Sequence, residues 1–262
     1  MSIDYGKIKD YWNNIDTFYS GTYSPNYRII NDEMLGMYRF KAELSFILKA
    51  LPTKKTNFLD IGCGTGNFIA GLKDKFDNVI GLDFSKEMVK ISQERFRNTP
   101  NVTIIRTNIL DYISPEKSAF DLILIGEILL YLQDSDIEKM LLKLKKTVER
   151  QSVIIIRETV ASKRAMIQER DSHLAIRRTL SEYCLLFNKS GFDVILVSQN
   201  MYYNYAGLAG LYRRKISILK RLRMSFFENK LVEVLLLWVP YKILSIFKKN
   251  LIVNYFFILK PR

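Results

Sequence analysis

Between Asn57 and Asn67 the chain reads NFLDIGCGTGN, and this stretch limits the fold more than any other. Phe58, Leu59 and Ile61 make a short apolar strand that ends beside a carboxylate, Asp60. Gly62, Gly64 and Gly66 follow at alternate positions, and an amphipathic helix begins there. Glycine admits φ > 0 and leaves the backbone open to a ligand. A strand that passes through a glycine-rich turn into a helix is the first half of a nucleotide-binding βαβ unit.

The rest of the chain keeps that rhythm. Apolar runs predict strands over 57–61, 78–82, 102–107, 120–125, 152–157, 192–198 and the final residues from Leu251. Apolar residues at helical spacing predict helices over 34–50, 66–76, 85–96, 136–148 and 179–189, the last ending at Gly191. Asp4 and Ser85 are suited to cap helices. The run Phe120–Ile125 is apolar throughout after Asp121, as in a strand buried on both faces. Alternation of this kind implies an α/β, Rossmann-like fold: a doubly wound, mostly parallel seven-stranded sheet with helices on both faces. Residues 162–176 are heavily charged and are read as a further helix. Four segments result: an N-terminal helical lid (1–52), the nucleotide-binding core (53–200), a helical insertion between the last two strands (201–250) and the closing strand (251–262).

Net charge is +13, which suits a nucleic acid, an anionic membrane surface or an acidic substrate. Ten basic and two acidic residues lie between Arg213 and Lys249. Over Leu211–Phe227, Tyr212, Ile216, Leu219, Leu222 and Phe226 share one helical face, with Arg213, Arg214, Lys220 and Arg221 opposite. Leu231–Phe247 is more apolar and holds Trp238 and Pro240. A basic amphipathic segment with exposed aromatics fits peripheral docking on an anionic membrane through 211–247. A substrate lid or a homodimer interface fits the same pattern. Cys63 and Cys184 match no metal spacing and read as free thiols of a reducing compartment. The polar N-terminus has no signal-peptide apolar region, which points to the cytoplasm. No run reaches the roughly 18 apolar residues of a spanning helix.

The stretch LDIGCGTG resembles the first motif of the class I S-adenosylmethionine-dependent methyltransferases, with the glycines spaced Gly62-x-Gly64-x-Gly66 and Asp60 before them. The resemblance implies S-adenosyl-L-methionine as cofactor and S-adenosyl-L-homocysteine as product. It sets the loop against the methionine part, with Asp60 near the amino group. Asp83, about 20 residues on, ends VIGLD and is placed to accept two hydrogen bonds from a ribose diol. Phe84 and Met88 would flank the adenine, and Asn108 and Ile109 would edge it. Helix capping by Asp83 and a turn role for Asn108 are the plainer alternatives. Gly126 and Glu127 would line the cleft where the methyl group leaves, with Tyr131 one turn later. Arg39 would pair with the cofactor carboxylate, or else is a surface helical arginine.

Glu127, Tyr131 and the lone histidine, His173, are the catalytic candidates, His173 as general base. Tyr19, Tyr23 and Tyr27 would form a lid or an aromatic cap. Where methyltransferases acting on nucleic-acid bases carry an Asn/Asp-Pro-Pro-Tyr type motif, this chain has Gly126-Glu127-Ile128-Leu129, which argues against nucleic acid as partner. The expected reaction is methyl transfer to oxygen or nitrogen of a small molecule, a lipid or a lipid-linked sugar. An RNA or protein methyltransferase, and a non-catalytic cofactor-binding relative, are the competing readings.

Overall fold

The computed structural model describes residues 3–13, 33–112, 119–169, 173–199 and 253–262. The elements run α1 (Tyr5–Asn13), α2 (Glu33–Lys49), β1 (Asn57–Ile61), α3 (Asn67–Leu72), β2 (Asn78–Asp83), α4 (Lys86–Phe96), β3 (Val102–Arg106), β4 (Phe120–Gly126) and α5 (Asp134–Lys145). They continue with β5 (Val148–Val160), β6 (Ala165–Glu169), β7 (His173–Arg177), α6 (Leu180–Lys189), β8 (Phe192–Gln199) and β9 (Val253–Pro261). The insertion 201–250, with its segment 211–247, lies outside the described residues, as do Tyr19, Tyr23, Tyr27 and the side chain of His173.

Seven strands form one sheet in the order β3-β2-β1-β4-β5-β9-β8. The first five are parallel, and β9 runs antiparallel to both its neighbours. The mostly parallel, doubly wound sheet expected from the sequence is therefore present. Crossover helices cover both faces, so the central strands must be apolar on both sides. Every residue of β4 up to Ile125 is buried. Ile123, Ile125, Ile154 and Phe257 pack with Ile137, Met140 and Leu141 of α5 and Tyr183 and Phe187 of α6. On the other face Phe58, Leu122, Leu124 and Ile155 pack with Ile47, Ile69, Leu72, Val89 and Phe96. Buried Asp121 ties the two central strands at their starts, its Oδ2 accepting from the Thr56 and Asn57 amides at 2.7 and 2.9 Å.

The starts of α1 and α4 follow the chemistry read from the sequence, whereas α5 begins at Asp134 after Gln133, which makes no side-chain cap, rather than at a cap on Ser135 or Asp136. Asp4 Oδ1 accepts from the Lys7 amide, and Ser85 Oγ from the Met88 amide. Thr179 and Glu182 form a reciprocal capping box on α6. Gly191 follows α6 with φ 83°.

Residues 162–176 depart from expectation. They contain the antiparallel pair β6 and β7, joined Ala165 to Arg177 through Glu169 to His173. The helical reading rested on charge content. The apolar residues fall in two clusters, 165–167 and 174–176, with none between them, so no continuous helical stripe runs through the segment. Burial decides the matter: Ile176 packs with Ile3 and Ile8 beside α1, with Leu174 and Trp12 against them.

Arg178, at the end of this hairpin, is completely buried. Its Nη1 and Nη2 donate to the carbonyls of Leu129 and Leu132 at 2.8 and 2.6 Å, and Nε donates to Asp134 Oδ1 at 2.8 Å. Arg164 reaches the same Asp134 at 3.0 Å from a half-exposed position. A buried carbonyl left without a donor costs about 1–3 kcal/mol, and an exposed ion pair contributes up to about 1 kcal/mol. We expect Arg178→Ala to lower unfolding free energy in urea by about 3 kcal/mol and Arg164→Ala by less than about 1 kcal/mol. Equal losses would contradict this division of labour.

Candidate active site

The sheet order changes direction between β1 and β4, and in open α/β sheets that switch point opens a crevice beyond the strand ends. A cavity of about 730 Å³ lies there. It collects twelve of the side chains and backbone positions singled out from the sequence: Arg39, Asp60, Gly62, Gly64, Asp83, Phe84, Met88, Asn108, Ile109, Gly126, Glu127 and Tyr131.

The glycine turn forms the floor. The Gly62 and Cys63 amides both donate to the Leu82 carbonyl of β2, which locks the turn onto the neighbouring strand. Gly66 has φ 78°, and a Cβ there would press on the Phe96 ring and lie 2.8 Å from Ser92 Oγ. Gly64 differs. Its φ is 54°, and a Cβ would meet no atom within 4 Å, because that side faces the cavity.

Asp83 binds the turn to the next helix. Its Oδ2 accepts from the Gly64 amide and its Oδ1 from the Ser85 amide, both at 2.9 Å. The capping alternative is thus partly realised, since Ser85 is the N-cap of α4. Burial raises the Asp83 carboxyl above its ordinary value against the pull of these backbone bonds. Asn108 also has its turn role: its Oδ1 accepts from the Leu110 amide at 3.0 Å, while it lines the cavity.

Asp60 is 3% exposed, and its Oδ2 has no hydrogen-bond partner. Burial pushes its carboxyl up to about 7, with Arg157 pulling it down and Asp83 adding to the rise.

At the end of β4, Glu127 has φ 56°, the one non-glycine residue with positive φ among those described. That conformation costs roughly 1–2 kcal/mol. Contacts made by one oxygen oppose this strain: Glu127 Oε1 accepts from Arg39 Nη2 at 2.7 Å and Asn254 Nδ2 at 3.0 Å, with Arg157 Nη1 at 3.4 Å. Arg39 Nε and Arg157 Nη1 also bind Glu43 Oε1, at 2.7 and 3.1 Å. Arg39 is 2% exposed, so the surface reading of this arginine does not hold. Next along β5, fully buried Glu158 accepts from the Leu129 amide at 2.7 Å and fixes the turn that carries Tyr131. Burial pushes the Glu158 carboxyl up to about 8, and the Glu127 charge adds to that.

Helix α1 forms the roof through Tyr5, Ile8, Lys9 and Trp12. The Trp12 carbonyl accepts from Ser85 Oγ at 2.9 Å, Asn13 Oδ1 accepts from the Lys86 amide at 2.9 Å, and the Tyr5 hydroxyl donates to Asp136. Trp12 meets Tyr131 edge to face at 6.1 Å. Sequence reasoning missed Glu43, Arg157 and Asn254, and within the expected N-terminal lid it did not name Tyr5, Ile8, Lys9 and Trp12 as the lining residues. For Arg157 a signal existed, its place near the C-terminal end of a central strand. Nothing local marks Glu43 or Asn254. Gly66 supports the turn from beneath, and His173 sits on β7 opposite Glu169. Among the described residues no group of three or more His, Cys, Asp or Glu is arranged to hold a metal.

Residues 58–151 match a family described as a methyltransferase domain. The demethylmenaquinone methyltransferase of Staphylococcus carnosus is 29% identical over 107 residues, 39% of this chain and 44% of that protein, so the chain spans less than half of it. The carboxy-S-adenosyl-L-methionine synthase of Helicobacter pylori is 24% identical over 179 residues, 66% of this chain and 72% of that one. A solved S-adenosylmethionine-dependent methyltransferase of Leishmania major superposes with a TM-score of 0.65 at 18% identity, covering 98% of this chain and 82% of its own. Residues 58–151 are thus similar to a methyltransferase domain, and the chain has the fold of a solved S-adenosylmethionine-dependent methyltransferase.

Proposed function

We propose that the protein binds S-adenosyl-L-methionine in this cavity and transfers its methyl group to oxygen or nitrogen of a small-molecule acceptor. The observation that carries the reading is Asp60: a buried carboxylate whose Oδ2 has no protein partner, in the wall of a cavity floored by an open glycine turn. Such a group needs a cationic partner to compensate its burial, and the ammonium of the cofactor is one. The cofactor supplies a methyl group activated by a sulfonium. Asp83 keeps acceptor capacity on both oxygens for a ribose diol, since each accepts one backbone N–H. Phe84, Met88 and Ile109 provide the apolar slot for adenine, and Asn108 its edge. Arg39 and Glu127 bound the methionine end.

Direct displacement depends chiefly on alignment of the acceptor. Glu127, tied to α2, β5 and β9, and Tyr131, held by the Glu158-anchored turn, are the groups that orient it. His173 stays a candidate base on the neighbouring hairpin. Synthesis of a carboxylated cofactor, the activity named for the Helicobacter pylori relative, would call for an uncommitted cation deep in the cavity. Arg39 and Arg157 are instead each bonded to Glu43 and face Glu127, which favours methyl transfer.

Calorimetry with S-adenosyl-L-homocysteine tests the reading. One site is expected, and no binding by well-folded protein would overturn it. Ammonium binding needs ionised Asp60, so affinity should fall as pH drops through about 7, approaching tenfold per pH unit, with proton uptake on release. Asp60→Asn should bind at least about tenfold more weakly with a flat profile from about pH 5.5 to 7.5. The free protein has the opposite sign: the raised carboxyl stabilises it fully below the ordinary value, and this is lost as pH rises through about 7.

The two inner glycines should separate binding from folding. Gly64→Ala places its methyl in the cavity and costs roughly 1–2 kcal/mol of strain, so it should fold yet lose cofactor affinity. Gly66→Ala adds a clash with Phe96 and Ser92 and should lose more stability, read in the same urea titration.

The charge of 213–249 supports docking of 211–247 on an anionic membrane, with a lipid or lipid-linked acceptor. The full chain should co-sediment with phosphatidylserine vesicles and not with phosphatidylcholine vesicles, less so at high salt. Equal, negligible binding to both would remove this part of the reading. Among the described residues no helix is long and apolar enough to cross a membrane.

A further inference from the structure

The cavity is charged in layers. At its floor Asp60 and Asp83 present carboxylates, and Glu43 and Glu127 are already matched by Arg39 and Arg157. That floor suits a cofactor carrying a sulfonium and an ammonium. At the mouth the sign reverses. Lys9 on α1 and Arg106 at the end of β3 line the same cavity, and both are exposed. Neither has an ion-pair partner among the described residues; Arg106 Nε donates only a long bond, 3.4 Å, to the Phe84 carbonyl. Asp111 lies on the same wall and offsets one of the two.

With no acidic partner among the described residues, the two cations are placed to receive an anionic group. Between floor and mouth the wall is apolar: Ile8, Phe84, Trp12 and Tyr131 pack together, Trp12 edge-on to Tyr131. Aromatic side chains of this kind receive flat apolar bodies. A guanidinium and an ammonium beyond them receive a carboxylate or phosphate.

We propose that the acceptor is an organic anion whose apolar, planar body rests on Trp12 and Tyr131 and whose carboxylate or phosphate head is held by Lys9 and Arg106. This rests on the reading that the cofactor fills the floor. Neutral molecules of the same shape lose the head contact, and cationic ones are repelled. Because both cations are exposed, the selectivity weakens as salt rises.

Two fluorescent probes that share one ring system isolate the charge: anionic 8-anilinonaphthalene-1-sulfonate and neutral N-phenyl-1-naphthylamine. Each is titrated into the full chain with and without S-adenosyl-L-homocysteine. The anion should bind one site at least about tenfold more tightly than the neutral probe at low salt. Lys9→Gln and Arg106→Gln should each weaken the anion about three- to tenfold and leave the neutral probe unchanged. Trp12→Ala should weaken both. Equal affinity of the two probes, an anion affinity indifferent to the Lys9→Gln/Arg106→Gln pair, or binding indifferent to Trp12→Ala would overturn the proposal. Calorimetry with S-adenosyl-L-homocysteine on the Lys9→Gln and Arg106→Gln variants should be unchanged. If the nucleoside fails to bind while the probe pattern holds, the cofactor reading falls and the anion site stands.

Discussion

Four charged side chains meet behind the cavity, and removing them from water is costly unless each finds a partner. Arg39, Glu43, Glu127 and Arg157 balance in sign and share two carboxylate oxygens, with Asn254 as a further donor. They come from α2, the residue after β4, and β5, and with Asn254 of β9 included the set spans the chain from residue 39 to residue 254. The cavity's rear wall therefore cannot form from the glycine turn and its flanking strands alone. It requires α2 to pack on the sheet and β9 to insert antiparallel beside β5. The strained backbone of Glu127 marks the place where these demands meet. Truncating any member would leave the buried set with an unbalanced charge, which costs more than the lost pair gains.

Two further buried groups hold the wall in front of that network. Glu158 takes the Leu129 amide, and Arg178 takes the Leu129 and Leu132 carbonyls. The turn between β4 and α5 is thus gripped from both of its polar sides by residues before and after the β6–β7 hairpin. That grip holds the turn on which Tyr131 sits. The hairpin also carries Ile176 and Leu174, against which α1 packs. One accessory element therefore positions both the wall and the roof of the cavity.

The parts legible in the sequence were those set by local backbone chemistry. The glycine spacing, the strand-terminal carboxylates Asp60 and Asp83, the Ser85 cap and the apolar run of β4 each have a physical cause within a few neighbouring residues. The parts that were not legible depend on distant pairing. Nothing near Asn254 announces a bond to Glu127, and nothing near Glu43 announces Arg157. The hairpin at 165–177 was hidden because its many charges obscured two short apolar clusters, 165–167 and 174–176, and the burial of the second against α1 is a distant contact. Arg39 was ambiguous for the same reason: its spacing fits a helix surface, and only the acids facing it explain its burial.

The roof and the cofactor floor are not independent. Asp83 accepts from the Gly64 amide with one oxygen and from the Ser85 amide with the other. Ser85 in turn donates its hydroxyl to the Trp12 carbonyl. Three hydrogen bonds in series thus connect the glycine turn to the end of α1. The same helix closes at its other end through Tyr5, whose hydroxyl burial pushes up to about 12 and which Asp136 holds as a donor. A proton so firmly held makes Tyr5 an anchor rather than a base. Placement of Trp12 and Lys9 over the cavity then follows from the carboxylate that shapes the glycine turn. The chemistry common to the fold and the surfaces particular to this chain are joined at Asp83.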